Sequence, residues 1–192
     1  MLIARIIVYL SALLWLAVPI RQWKEKYFLY FFILSLTDPL VMLLRIYFSS
    51  VYPFQIYMIS TMLLVVSLLN INSKKLFLWG GAILTGTALA VFVNVFKLAI
   101  PLTIVHTLIL LILVRKVTIR IIENSGIKIF HCLFLMYQMT LTLKFFMVIT
   151  NTRTGVLYFY VTSFFEILIA LYFSLSKEGS SRIILRFEQN LA

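Results

Sequence analysis

Long apolar stretches alternate with short polar segments along almost the whole chain. A helix of roughly 20 apolar residues crosses a lipid bilayer, and by that rule the pattern predicts about seven transmembrane helices. The predicted spans are 3–20, 27–48, 54–71, 76–96, 98–114, 129–149 and 156–175. They form one transmembrane domain over residues 1–175, followed by a short tail over residues 176–192. The predicted fold is an all-α bundle of a polytopic integral membrane protein.

The division between the fourth and fifth spans depends on length. Residues 76–114 form a nearly unbroken apolar run of 39 residues. A single helix of that length would measure roughly 58 Å, about twice the thickness of the hydrocarbon layer. The run must therefore fold back near Asn94, Lys97 and Pro101, with Pro101 in the first turn of the fifth helix. A longer loop is expected at about 115–128.

Composition supports this class and excludes others. Hydrophobic residues make up 63% of the chain and charged residues 12%, whereas a soluble domain has about 45–50% and about 25%. Disorder is excluded because it needs low hydrophobicity. The single cysteine, Cys132, excludes an intrachain disulfide and a multi-cysteine metal site. No metal or other cofactor is expected.

Positive charges predict the orientation, because Lys and Arg collect in cytoplasmic loops. With the N-terminus outside, 12 of the 17 lysines and arginines fall on the cytoplasmic side and three outside, while Arg45 and Lys144 lie within spans. Topology thus explains the net charge of +11, and no nucleic-acid partner is expected. A cleaved signal peptide over 1–20 is the alternative, but it would leave basic Arg21–Lys26 outside. The expected location is the bacterial inner membrane, with a cytoplasmic C-terminus.

The tail carries Ile183, Ile184, Phe187 and Leu191 at spacings of one, three and four residues. This pattern predicts a short amphipathic helix. Such a helix would lie on the inner membrane surface. The alternative is a docking or dimerising segment for a cytoplasmic partner.

Four charged residues lie within the predicted spans, namely Asp38, Arg45, Lys144 and Glu166. A charge in the hydrocarbon layer costs about 2.5–3.5 kcal/mol, so it usually faces the protein interior and has a partner. Lys144 and Glu166 are predicted to pair, because their spans are antiparallel neighbours joined by a short turn. The charges either specify the bundle as ion pairs, with Arg45 reaching outward, or line a polar cavity that binds a solute or relays a proton.

Further polar residues extend this candidate intramembrane site. They are Ser35, His106, Gln138, Thr162 and Ser163. Pro39 cannot donate a hydrogen bond to the carbonyl oxygen of Ser35, which leaves that oxygen free near Asp38. The two hydroxyl residues at 162 and 163 precede Glu166 by four and three residues, on one helical face. His106 is expected to be a hydrogen-bonded interior residue.

Ala82, Gly86 and Ala90 recur at four-residue steps in the fourth span. Small residues at this spacing let another helix approach closely. The strip is predicted to pack inside the bundle, and a dimer face is the alternative.

The chain has no G-x-S-x-G, H-E-x-x-H or phosphate-binding glycine loop, and no catalytic residue is predicted. The first hypothesis is a non-enzymatic sensor or accessory subunit, which signals to a protein partner through its cytoplasmic loops and tail. The alternative is a small secondary transporter that uses Asp38, Lys144 and Glu166; an enzyme acting on lipids is a third class. A transporter predicts a water-accessible cavity at Asp38 or Glu166, whereas a sensor predicts a tightly packed bundle.

Overall fold

The structure, a computed structural model, describes residues 2–48, 52–69, 75–93, 97–124, 126–150, 155–179 and 184–186. This part of the chain is almost entirely helical. The helices are α1 (Leu2–Arg21), α2 (Phe28–Tyr47), α3 (Pro53–Leu68), α4 (Lys75–Phe92), α5 (Ala99–Asn124), α6 (Ile129–Ile149) and α7 (Gly155–Leu175). Each predicted span coincides with one of them, and the all-α prediction is confirmed.

Three of these helices are long and apolar enough to cross a membrane. They are α2, α5 over Ala99–Glu123, and α6. The other four helices have shorter apolar stretches, which are Tyr9–Arg21 of α1, Pro53–Leu68 of α3, Phe77–Phe92 of α4 and Tyr160–Leu175 of α7. These properties support a membrane location for the protein.

The long apolar run folds back where the sequence predicts. Helix α4 ends at Phe92 and α5 begins at Ala99, which places Pro101 in the first turn of α5. A proline is tolerated there because the first turn has no intrahelical partner for its missing N–H. Lys97, the second expected marker, lies between the two helices, and Asn94, the third, lies outside the described residues.

The expected loop at 115–128 is wrong for most of its length. Helix α5 continues to Asn124 and is followed by a short strand, β1 (Gly126–Lys128). Charged residues end an apolar span but do not end a helix, since the backbone hydrogen bonds continue regardless of the solvent. Leu113 and Val117, four residues apart, keep one side of α5 buried through this segment.

The predicted tail helix is also wrong where the structure describes the tail. Ile184–Arg186 forms a strand, β2, that pairs antiparallel with β1, with Ile127 opposite Leu185. A lone strand exposes unpaired backbone N–H and C=O groups, which pairing satisfies. The apolar periodicity of so short a segment does not separate helix from strand.

The helices pack as a bundle around an aromatic core. Helix α1 contacts α2 and α7, α3 contacts α2, α4 and α5, and α6 contacts α5 and α7. Several large aromatic side chains are fully buried at the centre, namely Tyr30, Phe31, Phe130, Phe134 and Phe173. Their rings meet mostly at tilted or edge-on angles, the arrangement that the ring quadrupole favours.

The small-residue strip of α4 lies against α3. A Cβ atom added at Gly86 would come within 3.0 Å of the Cα atom of Ile59 on α3. Ala90, one turn further along α4, is buried, and its carbonyl oxygen accepts a hydrogen bond from the Gln55 side chain of α3. Gly86 and Ala90 thus lie at the contact between α4 and α3.

Candidate functional site

A polar cavity of about 270 Å³ lies among six of the helices, all but α4. Its wall includes six ionisable side chains, namely Asp38, Tyr57, His106, Tyr137, Lys144 and Glu166. A folded interior is normally packed with few voids larger than a water molecule. A cavity of this size with so many ionisable groups is therefore the leading candidate for a functional site.

Lys144 of α6 and Glu166 of α7 form the ion pair that the sequence predicts. Lys144 Nζ donates a hydrogen bond to Glu166 Oε1 at 2.6 Å. The glutamate side chain is 12% exposed and the lysine side chain 30% exposed. The pair joins two helices through a charge-assisted hydrogen bond, the stronger kind in proteins.

Asp38 of α2 reaches the cavity from the other side. Its Oδ1 atom accepts a hydrogen bond of 3.1 Å from the hydroxyl of Tyr57 on α3. Asp38 is exposed, whereas the cavity residues Thr61, His106 and Tyr137 are buried. The cavity therefore opens at Asp38 and closes at His106.

A buried hydrogen-bond network forms the closed end. Gln138 of α6 is completely buried, and its oxygen accepts a hydrogen bond of 2.7 Å from the hydroxyl of Tyr30. Its amide nitrogen donates to His106 Nδ1 at 3.0 Å and to the His106 carbonyl oxygen at 3.1 Å. His106 Nε2 lies 3.3 Å from Thr61 Oγ1. The ring of His106 also stacks on Phe145, with the two centroids 4.9 Å apart.

This network determines the form of His106. A backbone carbonyl only accepts hydrogen bonds, so the atom of Gln138 that faces it must be the amide nitrogen. The same nitrogen donates to His106 Nδ1, which must therefore be unprotonated. His106 is then a neutral imidazole with its proton on Nε2, directed at the oxygen of Thr61. His106 is therefore a buried, hydrogen-bonded residue of the bundle interior.

Other predicted site residues lie elsewhere. Ser35, Arg45, Thr162 and Ser163 are not among the described residues that line the cavity. The Ser35 hydroxyl donates to the Phe32 carbonyl oxygen, and Arg45 is exposed in the last turn of α2. Thr162 lines a separate apolar groove. These residues were predicted because they lie close to the charged residues in sequence. The rotation of each helix about its axis decides which side chains face the cavity, and on α2 it directs Thr37 there.

A second polar cluster, which the sequence did not predict, lies at the end of the bundle where α1, α5 and α7 end. Because Lys and Arg residues are concentrated in the segments at this end, we call it the basic end. Glu178 follows α7 and is buried at 6% exposure. Its Oε1 atom lies 2.8 Å from Arg120 Nη1 and 3.4 Å from His131 Nε2. The Gln22 side chain donates to the carbonyl oxygens of Phe173 and Ser176, and Lys128 donates to the Glu178 carbonyl oxygen. An acidic residue next to Lys177, directly after the last apolar span, is the signal that could have indicated this cluster.

The Glu178 cluster predicts a pH dependence of stability. Burial alone would raise the pKa of Glu178, but hydrogen bonds from His131 and Arg120 outweigh it and hold the pKa below its usual value. A depressed folded-state pKa stabilises the fold above the unfolded pKa, and this stabilisation disappears as pH falls through the folded pKa. We expect acid unfolding in detergent to show this loss below about pH 4.3. The Glu178→Gln variant should be less stable at neutral pH and less sensitive to acid, and an unchanged acid profile would contradict the prediction.

Comparison with protein-family models, curated proteins and solved structures finds no match to this chain.

Proposed function

We propose that this chain is a seven-span integral membrane protein that binds a small polar solute in the cavity at Asp38 and carries it across the membrane as a small secondary transporter. The observation that carries the proposal is the cavity itself, which joins Asp38, Lys144 and Glu166 inside an apolar bundle. Ionisable groups at membrane depth mark solute or ion pathways in helical membrane proteins. The solute is moved and not chemically converted.

The proposed topology places the N-terminus outside and the basic end in the cytoplasm of a bacterial cell. The distribution of 12 basic residues inside and three outside supports it. In this orientation the cavity lies near the middle of the bilayer and extends toward the outer face at Tyr57 and Val148.

The topology predicts the accessibility of engineered cysteines in a Cys132→Ser background. We expect Asn151→Cys to react with a membrane-impermeant thiol reagent added outside the cell, because residue 151 lies between the sixth and seventh spans. Thr118→Cys, on an exposed position near the end of α5, should react only after the membrane is opened. Reaction of the residue-151 thiol from the cytoplasmic side alone would reverse the proposed orientation.

A sensor, with the cavity as its ligand pocket, is the second candidate. Helix α7 supports it, because this one helix carries Glu166 in the cavity and leads three residues later into Glu178 at the basic end. A ligand that displaces Lys144 from Glu166 would bias the position of α7 and of the Glu178 cluster. In this candidate the cytoplasmic loops and the tail bind a protein partner, and this contact transmits the signal. The protein would then act as a sensor or as an accessory subunit of that partner.

One labelling experiment tests the proposed function and separates these candidates. Ser60 lines the cavity on α3, and its replacement in the Cys132→Ser background places a thiol there. We expect an impermeant thiol reagent to reach this thiol from both sides, in right-side-out and inverted vesicles, if the protein is a transporter with alternating access. A sensor predicts labelling from the outer side only. Ser67→Cys, two turns along α3 and not a cavity residue, is the matched control. A thiol at position 60 that reacts from neither side would refute both functions.

A further inference from the structure

The charged residues of the cavity do not balance. Lys144 and Glu166 neutralise one another across their 2.6 Å hydrogen bond. Asp38 accepts a hydrogen bond from the Tyr57 hydroxyl, which carries no charge, and the cation that acts on Asp38, Lys144, is the one already paired with Glu166. Arg45, whose charge acts on Tyr57, is not among the residues that line the cavity. With both carboxylates ionised, the three charges leave one negative charge in the cavity. A negative site of this kind attracts a cation.

His106 does not supply the missing positive charge. Protonation would put a proton on Nδ1, where the Gln138 amide nitrogen already donates at 3.0 Å. The amide cannot rotate to accept that proton without turning its oxygen toward the His106 carbonyl oxygen, which lies 3.1 Å from the present nitrogen. It would also break the hydrogen bond from Tyr30. The network thus keeps the imidazole neutral and leaves the compensating charge to a ligand.

The apolar part of the wall indicates which cation fits. Four aromatic side chains line the cavity, namely Trp15, Tyr57, Tyr137 and Phe145. Aromatic faces attract ammonium groups, and aromatic walls are the common recognition device for quaternary ammonium ligands. The aromatic residues come from α1, α3 and α6, so they surround the space on different sides.

A metal ion fits less well. A hard divalent cation takes six or more oxygen ligands, and the described residues contain no group of three or more His, Cys, Asp or Glu side chains placed to hold a metal. The volume of about 270 Å³ also exceeds that of one water molecule several-fold. Room for a polyatomic ligand is thus present beside a single uncompensated carboxylate.

We infer that the cavity binds a small organic ammonium cation, with Asp38 as its counter-ion and Trp15, Tyr57, Tyr137 and Phe145 around its alkyl groups. This inference rests on the proposed function and specifies its solute class. Lys144 then serves to neutralise Glu166, so that the ammonium group meets one carboxylate and not two.

The test uses choline as the probe and dimethylbutanol, its uncharged carbon isostere, as the control. In detergent, the reaction rate of the thiol placed by Ser60→Cys in the Cys132→Ser background reports occupancy of the cavity. We expect saturating choline to slow this reaction by about tenfold or more and the isostere to leave it unchanged. Asp38→Asn should weaken the protection by choline by about tenfold, the equivalent of 1.4 kcal/mol, because the amide still accepts from Tyr57 but carries no charge.

Each outcome decides between the two proposals. Equal protection by choline and its isostere, or full protection by choline in the Asp38→Asn variant, would overturn the ammonium inference. A thiol that reacts readily but is protected by neither compound would also overturn it, while the accessible cavity of the proposed function would stand. A thiol that does not react at all would overturn both. The Ser67→Cys thiol should be unaffected by choline in every case.

Discussion

Removing either partner of the Lys144–Glu166 pair should destabilise the protein by about 3–5 kcal/mol, and removing both should cost less than the sum. Lys144→Met leaves Glu166, which is 12% exposed, without its ammonium partner. Glu166→Gln leaves Lys144 as an uncompensated cation on that side of the cavity. In the double variant neither charge remains, so the penalty of an unpaired buried charge disappears. Thermal unfolding in detergent, read as a double-mutant cycle, measures the coupling.

Arg45→Met is the matched control for this cycle. Arg45 is also a basic residue of a predicted span, but it is exposed in the last turn of α2 and does not line the cavity. Its loss should change the free energy of unfolding by about 0.5 kcal/mol or less. A purely additive cycle for positions 144 and 166 would mean that the two charges are not coupled in the folded protein.

Gly86→Leu should disrupt the packing of α4 on α3, at a cost of about 3 kcal/mol or more. The new Cβ atom alone would stand 3.0 Å from the backbone of Ile59, and the rest of a leucine side chain needs the two helices to separate. Because backbone does not yield as a flexible side chain does, Gly86→Ala should already be measurably destabilising, though by less. Folded yield and unfolding temperature in mild detergent measure both effects.

Gly80→Leu provides the control within the same helix. A Cβ atom at Gly80 meets no heavy atom within 4 Å. Leucine also favours the helix over glycine by about 0.5–1 kcal/mol, so this variant should be neutral or slightly more stable. Equal effects of leucine at positions 80 and 86 would show that the small-residue strip does not form a close contact with α3.

The bundle has two polar sites, one near the middle of its helices and one at its basic end. The cavity at Asp38 draws its ionisable side chains from α2, α3, α5, α6 and α7. The Glu178 cluster ties the segment after α7 to α5 and α6 through Arg120 and His131. Helix α7 carries Glu166 in the cavity, and the segment that follows α7 carries Glu178 at the basic end.

Hydropathy alone determined where the helices lie. The seven predicted spans correspond to the seven helices of the described residues. The free energy of moving a helix from water into an apolar environment depends on its own residues, so a local apolar run is enough to locate it. The length of the apolar run over residues 76–114 required the chain to fold back before Pro101, because a single helix of that length would be too long for one span. The pairing of Lys144 with Glu166 was also predictable, since a short turn makes α6 and α7 neighbours and buried charges need partners.

Only the tertiary structure decided which faces meet. Gln138 joins Tyr30 and His106 across three helices, separated by 108 and 32 residues in sequence, and no local pattern carries that information. Rotation of each helix about its axis placed Thr37 in the cavity and left Ser35 hydrogen-bonded within α2. The pairing of Ile184–Arg186 with β1 likewise depends on backbone hydrogen bonds between distant segments. Apolar patterning fixes the position of a helix along the chain, whereas its rotation and its partners follow from packing among all seven helices.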